Sequence, residues 1–275
     1  MSEVLSGRRL LLVAPLAVIL SFSFPAGAGA QGAVDPCPNV TAGPINGTAE
    51  GETLNGTIDS DRILAGAGAD IVNALQGNDC VFGGDDFDEI QGGSGADVIF
   101  GEGGPDDLTG GAEDDRVYGG EGFDFVSGAL GDDLLRGEDG PDDISGGRGE
   151  DRITGGPGID FIEGGLGIDR LKGGKDSDRL SGGDEADEIF GNQGGDRLSG
   201  GLDGDRLFGG SGNDRIDGGD GRNRYFGGSG RDAIDAANGS VERIDCGSGN
   251  DVVRADAGDK VRNCERVFRL RLVTR

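Results

Sequence analysis

The chain has 275 residues, in which 52 acidic side chains outnumber 25 basic ones, and its formal net charge is −27 at pH 7. This balance opposes nucleic-acid binding, which depends on cationic contacts to phosphates. The chain has no histidine, which excludes Ser-His-Asp and Cys-His catalysis.

Residues 1–30 have the pattern of a secretory signal peptide. Arg8-Arg9 precede an apolar run over 10–24, and Ala28-Gly29-Ala30 form a small-residue cleavage site. The apolar run is short for a membrane span. The sequence therefore predicts a secreted protein without a membrane span in its mature chain. A retained anchor and export by the twin-arginine route are the alternatives.

Residues 31–46 are predicted to form an N-terminal cap or strap. Positions 34–45 are rich in proline, which fixes φ and favours an extended chain. Cys37 lies in this segment. An extended strap is suited to covering the first edge of the region that follows.

Residues 47–235 form an uninterrupted array of 21 blocks of nine residues. Gly92–Phe100 and Gly209–Asp217 are clear copies of the block. Position one is Gly in 19 blocks, position six is Asp in 19, and position eight is Val, Ile or Leu in 20. The exceptions are Ala65 and Ala74 at position one, Glu52 and Asn223 at position six, and Tyr225 at position eight. A short fixed period of this kind indicates a solenoid.

Each block is predicted to contain a glycine-rich turn and a short strand. The glycines supply positive φ values that other residues adopt at a cost. The last three residues of a block form the strand, and only position eight points inward because neighbouring strand residues alternate in direction. One aliphatic side chain per block makes a thin core. We therefore predict that short parallel strands stack as a coil with two blocks per turn.

The acidic column requires a cation, because like charges stacked along a coil repel one another. Calcium takes six to eight oxygen ligands from carboxylates and backbone carbonyls, whereas magnesium requires a tighter octahedron. Zinc fits poorly, since the chain has no His and only four scattered Cys. With two blocks per coil, each ion would lie between aspartates 18 residues apart, such as Asp97 and Asp115, or Asp151 and Asp169.

The sequence predicts multiple calcium ions held by the position-six aspartates. Residues 146–172 contain three consecutive full-consensus turns and are the strongest candidates, whereas 48–61 is degenerate and resembles an edge. The predicted calcium ligands are Asp61, Asp70, Asp79, Asp88, Asp97, Asp106, Asp115, Asp124, Asp133, Asp142, Asp151, Asp160, Asp169, Asp178, Asp187, Asp196, Asp205, Asp214, Asp232 and Asp251.

The array resembles the calcium-binding nonapeptide repeats of repeats-in-toxin (RTX) proteins, also called hemolysin-type calcium-binding repeats. The resemblance implies an all-β fold, a right-handed parallel β-roll solenoid that we expect to be capped at both ends. The predicted cleaved signal departs from the family, because many RTX proteins are exported without one. The sequence also departs from the consensus at position four, where altered geometry is expected. There, Glu50, Asp59, Asp86, Glu113, Asp176, Glu185 and Asp203 replace Gly.

Arginine recurs at position seven of the blocks, which is predicted to face outward. These side chains either compensate part of the acidic charge or form a stripe that binds a glycan or another anion. The residues are Arg116, Arg152, Arg170, Arg179, Arg197, Arg206, Arg215 and Arg224.

Residues 236–275 are predicted to contain degenerate repeats and a C-terminal cap. The repeat slips at Ala236, one further block runs over 246–254, and residues 267–273 alternate as a capping strand. The chain contains four cysteines, which allow three disulfide pairings in an oxidising compartment. The positions favour Cys37–Cys80 and Cys246–Cys264, which would hold the two ends of the solenoid.

The leading functional prediction is a secreted, non-enzymatic calcium-binding protein that folds when it binds calcium and has a structural or surface-interaction role. The alternative is a polysaccharide-active β-solenoid enzyme of the lyase or epimerase kind, with carboxylate pairs as catalytic groups. Such pairs are Asp106-Asp107, Asp114-Asp115 and Asp142-Asp143. An ice- or surface-binding solenoid is disfavoured because threonine is sparse. The sequence identifies no protein or glycan partner.

Overall fold

The computed structural model describes residue 37, residue 40 and residues 43–270. The predicted signal peptide over 1–30, most of the strap over 31–46 and residues 271–275 lie outside the described residues. Within the described part of the chain, all regular structure is β-strand. No helix in this part is long and apolar enough to cross a membrane.

The described residues form 26 strands, most of them six residues long. They are β1 (Ile45–Asn46), β2 (Thr53–Asn55), β3 (Arg62–Ala67), β4 (Ile71–Gln76), β5 (Cys80–Asp85), β6 (Glu89–Ser94), β7 (Val98–Gly103), β8 (Asp107–Ala112), β9 (Arg116–Glu121), β10 (Phe125–Leu130), β11 (Leu134–Asp139), β12 (Asp143–Arg148), β13 (Arg152–Pro157), β14 (Phe161–Leu166), β15 (Arg170–Lys175), β16 (Arg179–Asp184), β17 (Glu188–Gln193), β18 (Arg197–Gly201), β19 (Arg206–Ser211), β20 (Arg215–Gly219), β21 (Arg224–Gly230), β22 (Ala233–Ala236), β23 (Arg243–Gly249), β24 (Val252–Asp256), β25 (Lys260–Arg262) and β26 (Arg266–Leu270).

The strands form two parallel sheets of 13 strands each. Odd-numbered strands make the first sheet and even-numbered strands the second. Within the array each residue pairs with the residue 18 positions later, as Ile144 does with Ile162. One coil of the solenoid therefore contains two nonapeptides, one on each sheet, which confirms the predicted parallel β-solenoid.

The strands are longer than the three residues predicted from the repeat. Each typical strand begins at position seven and continues through position three of the next block, so that only positions four to six form the turn. In β7, Ile99 and Gly101 are buried, whereas Val98 and Phe100 point to the outer face. The glycine at position one is therefore an inward-facing strand residue, and the prediction that only position eight faces inward was incomplete.

The core is a row of single aliphatic side chains that runs the length of the solenoid. Ile99, Leu135, Leu171 and Leu207 are completely buried, and Tyr225 takes the same position in its block. Because only one large side chain per block reaches the interior, the core is thin, as predicted. The remaining interior volume is taken up by position-one glycines and position-six aspartates.

The backbone needs positive φ at position two, within the strand, and at position four, in the turn, and several residues other than glycine adopt it. Asp86, Glu113 and Asp203 at position four have φ values of 78°, 76° and 66°. Glu102 at position two has a φ of 75°. A left-handed conformation costs a residue with a side chain roughly 1–2 kcal/mol. The acidic residues at position four therefore keep the left-handed backbone of the turn, and the altered calcium geometry expected there stays a prediction.

The solenoid continues past the slip at Ala236 instead of ending there. One residue is inserted, so that Ala233 pairs with Val252 at a spacing of 19. The sheets end at β25 and β26, and β26 begins one residue before the predicted capping strand.

Disulfides link Cys37 with Cys80 and Cys246 with Cys264, and the described part of the chain has no free cysteine. The favoured pairing is confirmed. The first bridge attaches the N-terminal segment to β5, and the second joins β23 to the segment between β25 and β26.

Candidate metal centre

The position-six aspartates form two buried columns, one at each margin of the sheets. All 20 predicted ligands are almost completely buried. The column that precedes the first-sheet strands contains Asp61, Asp79, Asp97, Asp115, Asp133, Asp151, Asp169, Asp187 and Asp205. The column that precedes the second-sheet strands contains Asp70, Asp88, Asp106, Asp124, Asp142, Asp160, Asp178, Asp196, Asp214, Asp232 and Asp251.

One oxygen of each carboxylate links consecutive coils. Oδ1 of Asp97 accepts a hydrogen bond of 2.8 Å from the backbone N–H of Asp79, and Asp151 accepts the equivalent bond from Asp133 at 2.8 Å. The same bond is made at each coil of both columns. The predicted stacking of aspartates 18 residues apart is therefore present, and a backbone N–H donor separates successive carboxylates.

The second carboxylate oxygen has no hydrogen-bond partner in most of the columns. Oδ2 is buried and unpaired in every predicted ligand except Asp61. The Asp61 oxygen accepts from the backbone N–H of Thr57 at 2.6 Å and from its hydroxyl at 2.9 Å. A buried acceptor without a partner costs about 1–3 kcal/mol, and more when it is charged. Nineteen such oxygens among the described residues indicate a missing cationic partner.

The unpaired oxygen lies against the glycine at position one of its own block. A Cβ atom on Gly101 would lie 2.5 Å from Asp106 Oδ2 and 2.4 Å from the carbonyl oxygen of Gly119. A carboxylate oxygen and a carbonyl oxygen therefore converge on space that only glycine leaves open. Gly101 does not have a positive φ, so close packing accounts for glycine here, and backbone conformation does not.

Burial raises the pKa of many of the carboxylates in the interior of both columns. Desolvation raises the pKa of Asp151 to about 7 and that of Asp115 to about 8. The backbone hydrogen bond to each carboxylate opposes this rise, and neighbouring carboxylates add to it. Because neutralisation is favoured in both columns, either protons or metal cations would stabilise the fold.

The donor atoms fit a hard cation that accepts backbone ligands. Among the described residues, no three His, Cys, Asp or Glu side chains cluster closely enough to hold a metal by themselves. An ion would therefore combine one or two Asp oxygens with carbonyl oxygens of the turns. Calcium accepts this mixture, whereas zinc selects His and Cys ligands.

Both columns extend beyond the aspartates that the sequence analysis identified. In the first column the ladder passes from Asp205 to Asn223, Glu242 and Asp259. In the second, the Asp251 N–H donates to Glu265 at 2.8 Å. The signal that we missed is a triplet of acidic, basic and aliphatic residues. It occurs as Asp205-Arg206-Leu207 and again as Glu242-Arg243-Ile244, Asp259-Lys260-Val261 and Glu265-Arg266-Val267.

The carboxylate pairs considered for catalysis do not face a common groove. Asp106 and Asp142 are buried in the second column, whereas Asp107 and Asp143 are exposed on the outer face of the second sheet. Asp115 is likewise buried in the first column while Asp114 is exposed in the turn. Adjacent residues in a strand point to opposite faces, which separates the members of such pairs.

Comparison with known proteins identifies the repeat. A family model described as the RTX calcium-binding nonapeptide repeat matches residues 46–81, 76–108, 91–126, 101–135, 127–162, 163–198, 199–234 and 238–259. Among solved structures, a hyperactive, Ca²⁺-dependent, β-helical antifreeze protein from an Antarctic bacterium is similar, with 19% sequence identity and a TM-score of 0.47. That alignment covers 77% of this chain and 78% of the other. No curated protein matches this chain.

Proposed function

The chain belongs to the RTX calcium-binding nonapeptide repeat family, and we propose that it is a secreted β-solenoid that completes its folding by binding several calcium ions. The observation that supports this proposal is the set of buried Oδ2 atoms without a partner. They are repeated at almost every coil of both columns. A role as a structural or surface-interacting protein follows from an array that makes up most of the chain.

Calcium would supply the positive charge that the two columns lack. The carboxylates of the position-six aspartates are the chain's own charged donors, and their burial keeps competing water away. The backbone N–H bond to Oδ1 fixes the orientation of each carboxylate, as at Asp151. Since a site between coils exists only when the coils are stacked, binding free energy becomes folding free energy.

Export to an oxidising, calcium-rich compartment is consistent with the chemistry of the chain. The proposed organisation is a signal peptide over 1–30, an N-terminal cap or strap over 31–46, the calcium-binding β-roll over 47–235, and degenerate repeats with a C-terminal cap over 236–275. Disulfides are typical of exported proteins, and both bridges lie near an end of the solenoid. Extracellular calcium sites have dissociation constants of about 10⁻⁴–10⁻³ M.

The proposal is tested by far-UV circular dichroism of residues 31–275 during titration with calcium. We expect a cooperative gain of β signal near millimolar calcium and no equivalent gain with magnesium. Chelation should reverse it. A β spectrum that is already complete in chelator and unchanged by calcium would contradict the proposal. It would also favour a metal-independent scaffold or a polysaccharide-active solenoid. Assays for unsaturated chain ends and for epimerised residues within the polymer would then examine the second of these.

A further inference from the structure

The turn over 237–242 differs from the other turns of the first column. It contains the inserted residue, so that the backbone N–H of Asn223 reaches Glu242 at a spacing of 19 instead of 18. The turn stacks on the preceding turn of the same column, over 219–223. Because of this extra length, one side chain of the turn over 237–242 extends toward the turn over 219–223.

That side chain is Asn238, whose amide nitrogen lies between the two turns. Nδ2 lies 2.8 Å from the carbonyl oxygen of Gly219, 3.1 Å from that of Gly221 and 3.0 Å from Oε1 of Glu242. The other end of the amide is also fixed, because Oδ1 accepts the backbone N–H of Ser240 at 2.8 Å. A single NH₂ group thus contacts two carbonyl oxygens and one carboxylate oxygen.

These three oxygens come from the repeat positions that would surround an ion between coils. Gly219 and Gly221 are positions two and four of their block, and Glu242 takes the place of the position-six aspartate in the next coil. No other side chain in the described part of the chain connects the position-two and position-four carbonyls of one turn. The Glu242 oxygen in this set, Oε1, also accepts the Asn223 N–H and therefore corresponds to Oδ1 of the aspartates in the other coils.

We propose that the Asn238 amide replaces a calcium ion between the turns over 219–223 and 237–242, so that this coil closes without metal. The inference rests on the proposed function, because it assumes that the other turns use calcium. An amide NH₂ presents partial positive charge and two donors to three oxygens on which a calcium ion would otherwise converge. The remaining Glu242 oxygen, Oε2, stays unpaired.

Hydrogen–deuterium exchange in chelator tests this assignment on the full mature chain. Peptides over 219–245 should exchange at least about tenfold more slowly than peptides over 146–172. Asn238→Ala should remove that protection. Asn238→Asp should make protection of 219–245 depend on added calcium. Asn213→Ala is the matched control, since Asn213 is an exposed turn residue that accepts one backbone bond from Arg231.

The outcomes separate this inference from the proposed function. Protection of 146–172 in chelator would overturn both, because the array would then fold without metal. If peptides over 146–172 and peptides over 219–245 both exchange rapidly in chelator, only the assignment of Asn238 is wrong. The assignment is also wrong if Asn238→Ala and Asn213→Ala have the same effect on 219–245.

A second inference concerns the outer face of the first sheet between β5 and β21. Its outward positions carry more basic than acidic side chains, although the whole chain has a formal net charge of −27. The acidic ones at positions seven, nine and two are Glu102, Glu138 and Glu188, and exposed position-three residues of the same strands add Asp85, Glu121 and Asp139. The basic ones are Arg116, Arg136, Arg152, Arg170, Lys172, Arg206 and Arg224, and position three adds Lys175.

Two stacks of aromatic rings lie in the same face. Phe82, Phe100 and Tyr118 stack at centroid distances of 4.9 Å and 4.9 Å. A second stack joins Phe190, Phe208 and Phe226 at 4.7 Å and 4.6 Å. Stacking covers the ring faces and leaves the ring edges toward solvent, and the edges of aromatic rings carry partial positive charge.

Arginine side chains extend both stacks along the face. The Arg136 guanidinium lies 5.6 Å from the Tyr118 ring centroid, and that of Arg170 lies 5.0 Å from the Phe190 centroid. Arg170 also pairs with Glu188 at 2.7 Å. The face is thus a flat strip of ring edges and cations, with acidic turns on both sides.

The geometry points to an anionic polysaccharide as the partner of this strip. A polymer with carboxylates or sulfates along a sugar backbone places its charges at intervals and its hydroxyls between them. Single-stranded nucleic acid fits less well, because its bases need exposed ring faces on which to stack. Its closely spaced phosphates would also meet the acidic turns.

Binding of hyaluronate and of dextran sulfate, measured by biolayer interferometry in saturating calcium, tests this inference and distinguishes carboxylate from sulfate recognition. The triple variant R136S/R152S/K172S should weaken binding about tenfold or more. Its matched control is R179S/R197S/R215S on the opposite sheet, which removes the same charge. The inference would be overturned if both variants lost affinity equally, if the protein bound neither polymer, or if it bound single-stranded DNA more tightly than the polymers. Neutral dextran should not bind.

Discussion

The Asp106 carboxylate occupies the space in which a side chain on Gly101 would begin, with Oδ2 2.5 Å from the ideal Cβ position. Gly101→Ala should therefore lower the free energy of unfolding by about 1–3 kcal/mol, the usual cost of overpacking. Gly103→Ala is a control in the same strand, because its Cβ would meet no atom closer than 3.9 Å. Chemical denaturation in calcium measures both. Equal effects at the two positions would contradict the packing argument.

Asp151→Asn should have opposite effects with and without calcium. Asn223 shows that an amide can take the ladder position, since its Oδ1 accepts from the Asp205 N–H at 2.7 Å. The substitution removes a buried charge, so folding without calcium should become less unfavourable and the β signal in chelator should rise. In saturating calcium the variant should lose stability and bind less calcium. Far-UV circular dichroism in chelator and differential scanning calorimetry in calcium measure these effects, and a smaller β signal in chelator would count against them.

The calcium-free protein should become more stable as pH falls. Burial raises the pKa of Asp97 to about 7 and that of Asp178 to about 8, from an ordinary value of 3.8. The folded state therefore binds protons more tightly than the unfolded state. The stabilisation is complete below pH 3.8 and is lost as pH rises through about 7 to 8. We expect more β signal in chelator at pH 5 than at pH 8, measured by far-UV circular dichroism, and we expect calcium to have its largest effect at pH 8. Less β signal in chelator at pH 5 than at pH 8 would contradict this assignment of the carboxylates.

Removal of the Cys246–Cys264 bridge should destabilise the C-terminal coils. The bridge closes a loop with a sequence separation of 18, which corresponds to about 3 kcal/mol of lost unfolded-state entropy. The variant C246A/C264A keeps a small residue at the buried position 246. Hydrogen exchange over 243–262 should accelerate, whereas exchange over 98–130 should not change. Uniform acceleration along the chain would indicate instead that the whole solenoid unfolds as one unit.

The nine-residue period predicted the solenoid because three positions of the repeat, one, six and eight, each have a separate structural role. Leu135 and its equivalents fill the core, the aspartates face neighbouring coils, and a period of nine on two sheets requires pairing at 18. The sequence analysis misassigned the glycine at position one, because glycine can be required either by φ or by close packing. Only the structure shows whether φ or close packing requires the glycine, as it does at Gly101.

The end of the array was harder to predict than its middle. The insertion near Ala236 interrupts the spacing in the sequence, yet the hydrogen-bonded columns continue through Glu242 because a turn accommodates the extra residue. Similarly, nothing in the sequence pattern assigned a role to Asn238. Its contacts with Gly219 and Gly221 depend on how two turns stack, and those contacts join residues 17 to 19 positions apart.

The alternation of strands between two sheets determines which changes of length the chain tolerates. Consecutive nonapeptides lie on opposite sheets, so Phe208 and Ser199 belong to neighbouring blocks but to different outer surfaces. Loss or gain of 18 residues would leave both surfaces continuous. Loss or gain of nine would keep the core and both aspartate columns in register, but it would exchange the two surfaces for every residue that follows. Natural variation in repeat number should therefore occur in pairs wherever one surface has to remain unbroken.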